Sequence, residues 1–153
     1  MAIKNYSLNM DEAYAGMLYD LSDKQIDTFA VEDTDGISAG AAVIRGTEPA
    51  KQVKAANASG DGAKVIGVVL HTHKELVSSG KYYEKGYAVP VVTKGRIYVN
   101  VGGAVTAGKT ANIKLTDGTF VEDAVASGIE AVGCGAKFIT STSAAGVAVV
   151  ELG

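Results

Sequence analysis

From residue 29 to residue 152 apolar and polar side chains alternate with a period of two, and turn-forming residues interrupt the alternation at short intervals. The segments 28–36, 39–46, 50–56, 63–73, 86–95, 96–101, 109–115, 118–123, 132–140 and 146–152 each read as a strand, which predicts eight to ten short strands. In 96–101, Ile97, Val99 and Val101 share one face while Arg96, Tyr98 and Asn100 take the other. The same alternation sets Ala111, Ile113 and Leu115 against Thr110, Asn112 and Lys114, and Ala148, Val150 and Leu152 against Val147, Val149 and Glu151. No run is long enough for the helical crossover that a parallel sheet requires, although residues 121–128 have room for a turn or two of helix. The expected fold is all-β, a compact β-barrel or sandwich of short antiparallel strands. Pro90 lacks a backbone donor, so its strand should lie at an edge or pair on one side there. Residues 57–63 and 74–86, rich in Gly, Ser and charge, read as surface loops.

Residues 1–28 break the pattern and read as an N-terminal arm, leaving 29–153 as the β domain. Met10, Tyr14, Met17 and Leu18 fall at i, i+4, i+7 and i+8, a spacing that allows a short helix interrupted by Gly16. Such a stripe needs a surface to bury against, and another subunit is favoured over the chain's own domain. The last strand runs almost to the final residue, so the free terminus is the N-terminal one.

Composition narrows the function classes. A chain of 153 residues is about one domain, large enough to bury a core without disulfides or metal. Aromatics are 7% with no Trp, Gly occurs 19 times, and the net charge is −3, with Arg45 and Arg96 the two arginines and no basic run. Nucleic-acid binding is therefore not expected. No apolar stretch approaches a membrane span, and the first residues have no signal-peptide core. The lone Cys134 fits a reducing, cytoplasm-like site of synthesis.

Three constellations carry possible chemistry. Gly103, then four residues, then Gly108-Lys109-Thr110 has the spacing of a phosphate-binding loop, which works by feeding a helix whose N–H groups face the phosphate. Here the following residues alternate and reach a Thr116-Asp117-Gly118 turn, so a turn between strands is expected instead. His71 and His73 point to one face of a strand, a start toward metal ligation that lacks a third ligand; an exposed strand end is the simpler reading. Cys134 shares its face with Val132, Ala136 and Phe138, which makes it a small core residue rather than a nucleophile. No catalytic, cofactor-binding or metal residue is assigned.

The order of the pieces resembles the cement or decoration proteins on the outside of tailed-phage capsids. The likeness runs from an arm with "AYAGMLYD" through "AGAAVIRG", "QVKAA" and "VIGVVL" to "GYAVPVVTKGRIYVNV", "AVTAGKT" and "VGCGAKFITSTSAAGVAVVEL". In it, a V-x-x-G turn at residues 92–95 separates two strands of a small barrel. The resemblance implies a non-enzymatic virion protein made in the host cytoplasm and bound to the major capsid protein. It implies a homotrimer at three-fold or quasi-three-fold positions, whose arm bridges neighbouring capsid subunits and stabilises the shell. The expected contact residues are Tyr6, Met10, Tyr14, Met17, Leu18 and Tyr19 on the arm, with Tyr82 and Tyr83 on a loop. The alternatives are a tail or baseplate component and a host- or carbohydrate-binding module on the virion surface.

Overall fold

The structure, a computed structural model, describes residues 13–72 and 83–153. Its strands are β1 (Gln25–Val31), β2 (Ala42–Arg45), β3 (Gln52–Ala55), β4 (Gly67–Val69), β5 (Ala88–Val101), β6 (Asn112–Lys114), β7 (Thr119–Val121), β8 (Ile129–Ala131), β9 (Ala136–Phe138) and β10 (Gly146–Leu152). The fold is all-β, as the alternation predicts. Among the described residues the helical content is one 3-10 turn, Gly62–Lys64. Val121 ends β7, and residues 122–128 form bends and a turn that lead into β8 rather than the helical turn their composition allows.

Two rings share β5. The first runs β1, β3, β2, β4, β5 and closes where β5 pairs again with β1. The second runs from β5 through β10 and β9 to residues 108–111, joined to β9 by the Thr110–Lys137 bridge, and returns through β6 and β7. β8 adds to the outer side of β6. Each ring has five members, and directions cannot alternate around an odd-numbered circle. One neighbouring pair per ring must therefore be parallel: β1 with β3, and β5 with β7. That parity is why the antiparallel expectation fails at two seams.

The expected turn at residues 92–95 is instead a bulge inside one 14-residue strand. Gln25 opposes Lys94 but Ile26 opposes Val92, so β5 carries Thr93 as an extra residue, and Gly95 adopts a φ of +123° beside it. A turn and a bulge both favour glycine at positive φ; pairing decides between them. Here β1 covers β5 up to Lys94 and β10 takes over from Gly95, so the strand never reverses. Pro90 sits where expected. It pairs with Thr28 of β1, while on its other side β4 has already ended and the Leu70 N–H donates to its carbonyl at 2.9 Å. The N–H and C=O of one strand residue point the same way, so the missing donor falls beyond the end of β4.

Alternate residues along the strands fill two cores. Phe29, Val31, Val43, Val53, Val69, Val89 and Val91 form one cluster with Ile37 and Tyr83. Tyr83, expected as a loop contact, is a core residue: it is 1% exposed, exchanges backbone hydrogen bonds with Ile37, and its hydroxyl donates to the Leu70 carbonyl at 2.8 Å. The second cluster contains Ile97, Val99, Ile113, Phe120, Phe138, Val150 and Leu152. It also takes Ala42, Ile44, Val68 and Val92, the other face of the first ring's strands, which welds the rings together. Residues 57–63 reinforce that joint rather than forming a free loop. Asp61 accepts from the Asn57 and Ala58 amides, and Glu130 of β8 accepts from the Gly60 and Gly62 amides, both at 2.7 Å.

Candidate functional site

The expected arm contributes a strap that lies on the chain's own second ring. Leu18 opposes Ile97, the Gly16 N–H donates to the Tyr98 carbonyl at 2.7 Å, Tyr98 returns a bond to the Met17 carbonyl at 2.9 Å, and the Tyr19 N–H donates to the Arg96 carbonyl at 3.1 Å. Residues 16–19 and β1 thus follow one edge of β5, and the boundary expected at residue 28 falls inside β1. No helix forms over residues 13–24, because Gly16 sits at a φ of +92° in a turn closed by the Met17 N–H on the Tyr14 carbonyl. That turn nests against residues 39–40 and 71. A Cβ on Gly16 would come within 2.8 Å of the Ala39 Cβ and 2.9 Å of the His71 nitrogen, so only glycine fits the seat.

The strap has two faces. Leu18 packs against the second core and Met17 is half-buried, whereas Tyr14 is 58% exposed, Tyr19 43% and Leu21 87%. The two tyrosines are steadied from beneath: Tyr14 tilts against His71 with ring centres 5.1 Å apart, and Tyr19 meets Tyr98 edge-on at 5.7 Å. Amphipathic rings held in place but left in water make a low-entropy contact surface. Of the residues expected to touch a partner, Tyr14, Met17, Leu18 and Tyr19 come together here. Tyr6, Met10 and Tyr82 lie outside the described residues, and Tyr83 is buried inside the first ring.

Charge pins the segment that joins the strap to β1. Arg96 is bonded to Glu151 at 2.7 Å and to Asp20 at 3.3 Å, and Lys94 holds Asp23 at 2.9 Å. Hydrogen bonds from Ser22, helped by Arg96, hold the Asp20 carboxyl below its usual range, and the Lys94 ammonium does the same for Asp23. All these groups are at the surface, so each pair contributes little by itself.

The other constellations resolve as packing. The phosphate-loop spacing forms a turn whose amides are already engaged: Thr106 N–H bonds Glu122, Ala107 N–H bonds Ser141, and Gly108 N–H bonds the Phe138 carbonyl. Strand pairing, not a helix, follows at Thr110. His71 underlies Tyr14, and His73 lies outside the described residues. Cys134 is half-buried against the second core, and burial pushes its thiol above the usual range. An open cleft of about 500 Å³ between Tyr98, Ala13 and residues 140–147 is lined by Ser, Thr, Ala, Gly, Val and Tyr. Among the described residues, no three His, Cys, Asp or Glu side chains converge as metal ligands do.

Residues 3–153 match the family described as structural cement protein (E217 gp24/Pam3 gp6). The chain belongs to the phage structural cement protein family. A similar solved structure comes from the capsid of Myoviridae phage XM1, with a TM-score of 0.74 and 21% identity over 99% of this chain and 97% of that one; it shares the fold. A head-fibre base from bacteriophage phi29, gp8.5, aligns at a TM-score of 0.45 and 10% identity over 84% of this chain and 95% of that one. Among curated proteins no sequence matches. In this cement protein, sequence reasoning missed Leu21 and the Gly16 seat. The signal for both was Gly16 itself, which interrupts a helical period at the point where the chain turns to lie along β5.

Proposed function

We propose that this cement protein binds the outer capsid surface as a homotrimer at three-fold or quasi-three-fold positions and bridges neighbouring subunits of the major capsid protein. The observation that carries the reading is the strap, which leaves Tyr14 and Tyr19 exposed beside the β5 edge, with Leu21 exposed on the loop that follows. A protein that binds only the assembled shell stabilises that shell by mass action. Each large apolar side chain adds about 1.5–3 kcal/mol when fully buried, before ordering costs. A lattice of copies multiplies small affinities into strong avidity. Synthesis in the host cytoplasm and residence on the virion follow from the same reading.

The test is a Tyr14→Ser, Tyr19→Ser, Leu21→Ser variant added to heads stripped of cement. These side chains are exposed and belong to neither core, so the fold should survive. Sedimentation with heads and the temperature of head rupture are then compared with the native chain. The variant should pellet poorly and leave the rupture temperature near that of bare heads. Full protection by the variant would remove the strap from the contact, and sedimentation of the native chain with isolated tails instead of heads would move the protein to the tail.

A further inference from the structure

The strap contains more chain than its seat requires. Tyr19 is bonded to Arg96 and Gln25 is paired with Lys94, so the ends of the connector face positions two residues apart on β5. That span is about 7 Å, yet the connector has six Cα–Cα steps, enough to reach about 20 Å when extended. The surplus is looped out at residues 20–24, opposite the Gly95 bulge. Leu21 there is in water, and the loop is held by the surface pairs of Asp20 with Arg96 and Asp23 with Lys94.

What the seat recognises, by contrast, is this chain's own sequence. The strap is read by backbone bonds to Arg96, Tyr98 and His71, by Leu18 against the second core, and by a glycine interlock in which Gly16 and Gly40 approach too closely for any Cβ. A second copy would satisfy every one of these contacts, and a foreign strand without a glycine at the interlock would fail there.

We propose that the strap is exchangeable: residues 13–19 of one copy seat on the β5 edge of a second copy, with the connector drawn straight between them. The inference rests on the self-association proposed above. A straightened connector lets each copy cover the β5 edge of its neighbour without a change inside either ring, and the exchange closes equally as a pair or as a three-membered circle. The looped connector is then the slack of the unassembled chain.

Leu18 and Ile97 are a non-hydrogen-bonded pair, since the bonds run between their neighbours, and in such pairs the Cα atoms come within about 4.5–5 Å, close enough for a disulfide. The experiment oxidises Leu18→Cys, Ile97→Cys in a Cys134→Ala background, as dilute free chain, as concentrated chain and on cement-free heads. Products are separated on denaturing gels beside each single-cysteine control, and native mass spectrometry gives the oligomeric state before oxidation. Dilute chain should give an internally linked monomer, and assembled chain should give covalent dimers or trimers in at least tenfold excess over the controls. Oligomers that contain internal links alone would overturn the exchange while leaving self-association standing. A chain that stays monomeric in concentrated solution and on heads would overturn both. Should cysteine at the buried position 97 prevent folding, Tyr14→Cys with His71→Cys, bridged by a short bismaleimide, reads the same outcomes from outside the core.

Discussion

Gly16→Ala isolates the strap from the rest of the fold. The new Cβ meets the Ala39 Cβ at 2.8 Å and the Gly40 and His71 nitrogens at 2.9 Å, and none of these lies at the end of a flexible side chain. An L-residue at positive φ adds about 1–2 kcal/mol of backbone strain. The contact cost is capped, because the strap can lift off instead of absorbing the clash. Lifting loses four backbone bonds, those of Gly16, Tyr19, Tyr98 and His71, gross about 2–6 kcal/mol at 0.5–1.5 each, and regains most of that as chain entropy. A net loss of about 1–3 kcal/mol follows, or a Tm lower by roughly 2–12 °C at 2–4 °C per kcal/mol. Gly118→Ala is the control: its φ is +71° but no atom lies within 4 Å of the added Cβ, so it reports strain alone, about 1 kcal/mol. Hydrogen exchange decides the matter better than Tm. In Gly16→Ala the amides of Tyr19, His71 and Tyr98 should lose protection while those of β10 keep theirs, and Gly118→Ala should leave all of them protected. If the two variants exchange alike, the strap does not depend on the glycine seat and the reasoning fails.

Other outcomes test the rest of the architecture. Phe120→Ala empties a fully buried site in the second core and should lose about 3–5 kcal/mol in chemical denaturation; a loss below 1 kcal/mol would mean that the ring is not packed as described. Glu130→Ala leaves the Gly60 and Gly62 amides without their acceptor, which should lower stability by about 1–3 kcal/mol and release exchange protection across residues 57–63. The lowered carboxyls of Asp20 and Asp23 favour the folded strap above their ordinary value of 3.8, and that contribution disappears as the pH falls through their lower folded values. Amide NMR shifts of Tyr19 and Tyr98 should therefore hold steady from neutral pH to about pH 4 and move below it. Shifts that already move above about pH 4, where both carboxyls are ionised, would refute the assignment to Asp20 and Asp23.

The faces of the strands were legible in the sequence because a period of two is local. Ile97, Val99 and Val101 face the core and Arg96, Tyr98 and Asn100 do not, and β10 occupies the segment its alternation predicts. What stayed hidden depended on distant partners. Gly95 looks like a turn residue until β1 is seen to pair as far as Lys94 and β10 from Gly95 onward. Tyr83 looks like a loop tyrosine until its bonds to Ile37, 46 positions earlier, draw it into the first ring. β8 is too short to show any period, and its membership of the sheet comes from pairing with β6. The strap's helical spacing proved weaker than an open β5 edge, which offers backbone partners that no short helix could match.

The shared strand has a mechanical meaning. A pull directed along β5 loads its bonds to β1 and β10 together in shear instead of one after another. Load passes from one half to the other through covalent backbone as well as through the packed joint between them. Neither half can therefore tear away without dismantling its twin, a useful property for a rivet.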